Sequence, residues 1–269
     1  MELGISTACF FHKQHTEDSL ISLGRMGVKT VEIFLNSFSE YEPGFVKLLR
    51  ARLEDNGLSA YSVHPLSSQF ESQLFSIHER QKGDAIAIYQ RVLDAAAFLN
   101  ARCYVMHGPA HLSGAAKNLE SKRVIDNLAA LVELARERGL CLALENVSWC
   151  IYHEPEYGAM LKKELSHRGL KYVLDIKQAV RANTNPFDYI EAVGEDLVNV
   201  HLCDYRLLNG KPKLMMPASG EFDFKRLKIA LMERGYEGPL FIEVYSDMYD
   251  GLNELESSYL QLSELFCSH

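Results

Sequence analysis

The sequence predicts an α/β chain folded as a single (β/α)8 barrel. Eight short, β-prone apolar runs alternate with segments of helical periodicity, which specifies a parallel sheet with crossover helices. The length, 269 residues, suits eight such units. A doubly wound open sheet is the rival, and it is disfavoured because no G-x-G-x-x-G follows the first run. No linker, low-complexity tract or shift in composition marks a second domain, so residues 1–269 read as one.

The first run covers residues 2–7 and leads to a short helical segment at 19–26. The second, 29–35, is followed by a helix at 44–56 with Phe45, Leu48, Leu49 and Leu53 on one face and Gly57 as its stop. After the third, 58–64, comes a long Ala-rich helix at 78–100, in which Ile86, Tyr89, Val92, Leu93, Ala96 and Leu99 recur at helical spacing. The fourth, 102–107, precedes a helix at 119–138 that stops at Gly139. Runs at 140–145, 171–176, 197–203 and 239–244 complete the strands, with helices at 156–168, 186–193, 223–234 and 252–266 between and after them.

Composition is that of an ordinary water-soluble globular chain, 47% hydrophobic and 24% charged. The formal charge of −8 argues against a nucleic-acid partner, which wants a basic face. No apolar stretch approaches the roughly 20 residues of a membrane span. The amino terminus has no basic n-region or cleavage site, so no signal peptide is expected. Cys9, Cys103, Cys141, Cys150, Cys203 and Cys267 are dispersed and form no C-x-x-C. They read as reduced thiols of a cytoplasmic protein, mostly small core residues.

Function is written at the ends of the last four runs. They are Leu142-Ala143-Leu144-Glu145, Tyr172-Val173-Leu174-Asp175, Val198-Asn199-Val200-His201 and Leu240-Phe241-Ile242-Glu243. Strands disfavour Asp and Glu. In a (β/α)8 barrel the C-terminal strand ends open on one face, where active sites are built. Any one of these residues alone is a polar group solvated at a loop start; all four in register point to one divalent cation. Three carboxylates and an imidazole suit Mn²⁺, Mg²⁺ or Co²⁺ and tolerate Zn²⁺. No organic cofactor is expected.

The motifs Leu144-Glu145-Asn146, Leu174-Asp175-Ile176-Lys177-Gln178-Ala179, His201-Leu202-Cys203-Asp204 and Ile242-Glu243-Val244 resemble the xylose-isomerase-like TIM barrel superfamily. So does Gly220-Glu221-Phe222-Asp223-Phe224 followed by Gly235-Tyr236-Glu237-Gly238. That group holds sugar isomerases and epimerases, inosose dehydratases and endonuclease IV enzymes. The resemblance implies that Glu145, Asp175, His201 and Glu243 bind one metal. It also implies that Glu145 and Glu243 form the acid/base pair of a sugar (or sugar phosphate) isomerase or epimerase. A carbohydrate substrate and a homo-oligomer follow from the same resemblance.

The pattern departs from the family at Gln178, where a His usually stands; Gln is a poor metal ligand and carries no proton. No Asp-x-His lies between Asp204 and Glu221, so the three-metal endonuclease site is not assembled. His64 and His107 end the third and fourth runs, as substrate contacts or as ligands of a second metal. Lys177 faces the substrate if the sixth strand continues to it, and the helix layer if not. Phe10, His12 and Trp149 are candidates for an aromatic wall beside a sugar. Arg206 is a candidate grip on a hydroxyl or phosphate, and Lys211 and Lys213 are expected in a nearby loop. Glu32, inside the second run, is a weak candidate for shaping the pocket. The rival functions are an inosose-type dehydratase on the same metal, an abasic-site endonuclease, and a non-catalytic sugar-binding barrel.

Overall fold

Every predicted run becomes a strand, and the eight close on themselves. In the computed structural model, which describes residues 1–110 and 117–267, these barrel strands are β1 (Leu3–Ser6), β2 (Thr30–Leu35), β3 (Ser59–Pro65), β4 (Cys103–Met106), β5 (Cys141–Glu145), β6 (Lys171–Asp175), β7 (Leu197–Leu202) and β10 (Leu240–Ile242). All pair in parallel, with β1 joined to β10 at the seam, so that no edge is left exposed. Gly4 pairs with Phe241 there. A Cβ on Gly4 would lie 2.2 Å from Thr30 O and 2.5 Å from the Phe241 ring, so only glycine lets that ring fill the barrel.

The outer layer consists of α1 (Thr16–Arg25), α2 (Pro43–Asp55), α3 (Glu79–Phe98), α4 (Lys117–Arg136), α5 (Pro155–Leu165), α6 (Ile176–Arg181), α7 (Pro186–Val193), α8 (Phe224–Glu233) and α9 (Leu252–Phe266). The apolar stripe of α3 is largely buried, with Tyr89, Val92, Leu93 and Ala96 fully inside, whereas α2 buries Val46, Leu49 and Leu53 and leaves Leu48 exposed. Gly57 (φ 62°) and Gly139 (φ 73°) turn the chain out of α2 and α4 in the left-handed region. No helix among the described residues is long and apolar enough to cross a membrane.

Two elements were not expected. Helix α6 starts directly after β6, because the Asp175 side chain accepts from Gln178 N and caps it. Between β7 and α8, where Lys211 and Lys213 were expected in a loop, stands a hairpin. Its strands β8 (Asp204–Leu208) and β9 (Lys211–Met215) pair antiparallel. The turn is Asn209-Gly210, both at positive φ, which matches the right-handed strand twist. Asp204 anchors the hairpin base, accepting from Tyr205 N, Gly220 N and Phe222 N.

Candidate metal centre

The C-terminal ends of β5, β6, β7 and β10 bring Glu145, Asp175, His201 and Glu243 together. One donor atom from each lies within 4.8 Å of the others; Glu145, Asp175 and His201 are buried and Glu243 nearly so. His201 Nδ1 is the hub: Glu243 Oε2 lies 2.5 Å away, Glu145 Oε1 3.5 Å and Asp175 Oδ2 3.9 Å. Asp175 is fixed by a reciprocal bond with the next strand end. Its N–H donates to Asn146 Oδ1 (2.6 Å), and Asn146 Nδ2 donates to its carbonyl (3.0 Å).

Electrostatics make the cluster hungry for a cation. Burial disfavours the ionised carboxylates, yet the His107 and His201 imidazoles hold Glu145 well below the usual carboxylate range. His201 and Lys177 do the same for Glu243, at about 2. Burial wins at Asp175, which is pushed up to about 7 despite Lys177. Burial works against a charged His201, but Glu243, Glu32 and Glu145 push its imidazole well above its ordinary value. A positive charge is therefore stabilised where His201 Nδ1 meets the carboxylates. That nitrogen, Glu145 Oε2 and Glu243 Oε2 are buried and make no well-directed hydrogen bond, although His201 Nδ1 and Glu243 Oε2 face each other and His107 Nε2 lies near Glu145 Oε2. Oxygen donors converging on one imidazole nitrogen, with lone pairs to spare, fit a divalent cation.

A second group adjoins the first. His107 Nε2 lies 2.9 Å from both Glu145 Oε2 and His64 Nε2, while its Nδ1 is 2.6 Å from Ser67 Oγ. His64, His107 and Glu145 also place donor atoms within 4.8 Å of one another. The end of β4 is held by Glu71, which accepts from His107 N and from Tyr104 OH. Glu32 lies on the opposite side of His201 from Glu243, its Oε2 3.1 Å from His201 Nε2.

The remaining sequence candidates divide. Strand β6 does end at Asp175, yet Lys177 reaches back from α6: its Nζ bonds Asp175 Oδ2 and lies 3.2 Å from Glu243 Oε1. Trp149 is half exposed at the rim, its ring edge-on to His107. Gln178 lies near the cluster, but its Oε1 accepts from Ser148 N and Oγ and so ties down the loop after β5. One expectation is corrected, and other candidates have partners of their own. Phe10 does not form the wall: it is 1% exposed in the core, and Phe34 faces His64 instead, at 5.4 Å, with Phe11 behind it. His12 is exposed and its ring lies tilted against Phe11. Arg206 braces the hairpin, donating to Ser219 O and lying near Glu221. Lys211 and Lys213 are exposed on β9. Cys203 is buried, with its thiol on the Met215 carbonyl.

Sequence reasoning missed Glu71, Ser67, Asn199 and Phe34, and gave Glu32 too little weight. A signal for Glu32 was present: a lone charge inside Val31-Glu32-Ile33-Phe34-Leu35, a run that is buried throughout. Nothing local marks Glu71 or Ser67, which sit in short 3-10 turns after β3.

Known proteins share this architecture. A curated 3-dehydroshikimate dehydratase from Pseudomonas putida is 24% identical over 136 residues; the match spans 48% of this chain and 21% of that protein. Among solved structures, IolI with a bound zinc atom superposes with a TM-score of 0.82 at 16% identity, covering 99% of this chain and 98% of that one. A D-psicose 3-epimerase crystallised in the presence of D-fructose gives a TM-score of 0.80 at 14% identity, covering 100% of both chains. Residues 23–265 match the model of the xylose isomerase-like TIM barrel family, and the chain belongs to that family.

Proposed function

We propose that the chain is a divalent-metal-dependent sugar isomerase or epimerase. The observation that carries this reading is the convergence of Glu145, Asp175, His201 and Glu243 from separate strand ends onto one buried point. Those four residues would hold the cation. When bound, it polarises a substrate carbonyl and its neighbouring hydroxyl, acidifies the adjacent C–H and stabilises the enediolate.

The chain's own groups do the rest. Glu145 and Glu243 are the proton-transfer pair: one takes the carbon-bound proton and the other returns it. Both are held in the ionised form that a base requires. Lys177 supplies a fixed positive charge beside Asp175 and Glu243, in reach of an anionic substrate oxygen. Phe34 and Trp149 offer apolar faces for a sugar ring, and His64 and His107 offer hydrogen bonds to its hydroxyls or a second ion site. A carbohydrate substrate and a cation are also in keeping with the epimerase and the zinc-bearing IolI among the structural neighbours.

Incubating the protein with a panel of ketoses and Mn²⁺ in D₂O tests the proposal. Deuterium enters carbon positions of recovered sugar if it holds, and no incorporation across a broad panel contradicts it. A second reading, dehydration of an inosose-like keto-polyol, is favoured by the match to a dehydratase. Loss of one water in the product mass, without sugar exchange, would select it.

A further inference from the structure

We infer that Glu32 is the positioning residue that selects which nitrogen of His201 meets the cation: its carboxylate accepts a hydrogen bond from Nε2–H and so reserves Nδ1 for the ion. The inference rests on the metal reading above and adds a residue to it.

Glu32 comes from β2, across the barrel from β7, and is completely buried. An isolated buried carboxylate is costly, so it needs donors. It has four, from three strands of the barrel wall. Ser6 Oγ of β1 donates to Oε1 (3.0 Å), while Ser62 Oγ of β3 donates to Oε2 (2.7 Å). Asn199 Nδ2 of β7 also donates to Oε2 (3.0 Å), and His201 Nε2 completes the set at 3.1 Å. Burial opposes its ionisation, but the His201 and His64 imidazoles hold the carboxyl well below the usual range.

Both ring nitrogens of His201 face carboxylates, Nδ1 that of Glu243 and Nε2 that of Glu32, so the metal-free imidazole carries a hydrogen on each, and a cation that displaces the Nδ1 hydrogen leaves the one on Nε2 held by Glu32. A carboxylate only accepts, so Nε2 must carry a hydrogen toward Glu32. Asn199 Nδ2 also lies 3.2 Å from Nε2, but as a donor it cannot take that hydrogen. Nδ1 then faces Glu243, Glu145 and Asp175. A neutral imidazole with hydrogen on Nε2 presents a lone pair there, the state in which imidazole ligates metal. The other tautomer would aim an N–H at the cation and a lone pair at Glu32. Glu32 Oε1 also approaches His64 Nδ1 at 3.7 Å, so one carboxylate backs two of the three imidazoles that reach toward Glu145, the third being His107.

Glu32→Gln keeps the shape and inverts this logic. Its amide carries one acceptor and one donor group, so some of Ser6, Ser62, Asn199 and His201 would meet N–H instead of oxygen. The full chain and the Glu32→Gln variant are titrated with Zn²⁺ against a chromophoric chelator. Both are labelled with ¹⁵N-histidine, and the zinc-loaded proteins are examined by NMR. The expected result is a loss of zinc affinity of about 10- to 100-fold in the variant, with the far-UV spectrum retained. In the parent, Nε2 of His201 bears the proton and Nδ1 the zinc. Affinity within about twofold of the parent, or a parent spectrum with the proton on Nδ1, overturns the role of Glu32. The parent spectrum decides alone if the variant does not fold. Absence of zinc binding by the parent overturns the metal reading, and this role with it, so the two failures are distinguishable.

Discussion

At the residue scale, Asp175 is the sharpest instrument because it has two tasks on two oxygens. Oδ1 caps α6 through Gln178 N, and Oδ2 joins the cluster. Asp175→Asn keeps a good cap and loses the charge, so it should lose most of its metal affinity and some stability through the weakened pair with Lys177. Asp175→Ala should lose the affinity too, and about 1 kcal/mol more stability than Asp175→Asn. Calorimetric melting and chelator competition separate the effects. Lys177→Met removes the cation from two buried carboxylates. The chelator-treated protein should lose roughly 3 kcal/mol, and added Mn²⁺ should restore more stability to the variant than to the parent. Equal metal-induced shifts in melting temperature would refute that pairing. The four clustered residues Glu145, Asp175, His201 and Glu243 were legible in the sequence because each ends an apolar run, where a charge has no structural reason to be. Glu32 was less legible, because its partners Ser6, Ser62 and His201 belong to other strands and only barrel closure assembles them.

At the element scale, the hairpin β8–β9 tests how the mouth is built. A Cβ on Gly220 would fall 2.3 Å from Asp204 Oδ1 and 2.4 Å from Tyr205 O, both part of the hairpin base. Gly220→Ala should therefore cost about 1–3 kcal/mol by overpacking and speed proteolytic cleavage between Asp204 and Met215. An unchanged digestion pattern would show that Asp204 does not anchor the hairpin. The eight barrel strands were readable as apolar runs, and α7 and α9 were placed to the residue by their periodicity and, for α7, by Pro186 at its start. The hairpin was not, because Arg206, Lys211 and Lys213 give it an exposed, polar composition that lacks an apolar run. Its Asn209-Gly210 turn was the one strong local clue. Helix α6, at six residues, is too short for periodicity to reveal, and depends on the Asp175 cap.

At the scale of the whole molecule, barrel closure positions the site. Glu32 reaches His201 only because β1, β2, β7 and β10 are neighbours around a closed ring. Phe241, fully buried and seated over Gly4, fills the ring at its seam. Phe241→Ala should cost about 3–5 kcal/mol and weaken metal binding without touching a ligand, seen as parallel losses in melting temperature and affinity. Closure was predictable from alternation and length, whereas the contacts across the ring were not, since they join residues far apart in the chain. The central claim is that a single divalent ion is held by Glu145, Asp175, His201 and Glu243. Its most direct test is a crystal structure of the Mn²⁺-loaded protein with anomalous diffraction recorded on both sides of the metal edge. One anomalous peak is expected within coordinating reach of all four side chains, on the Nδ1 side of His201. A peak elsewhere, or none at full metal loading, would contradict that claim.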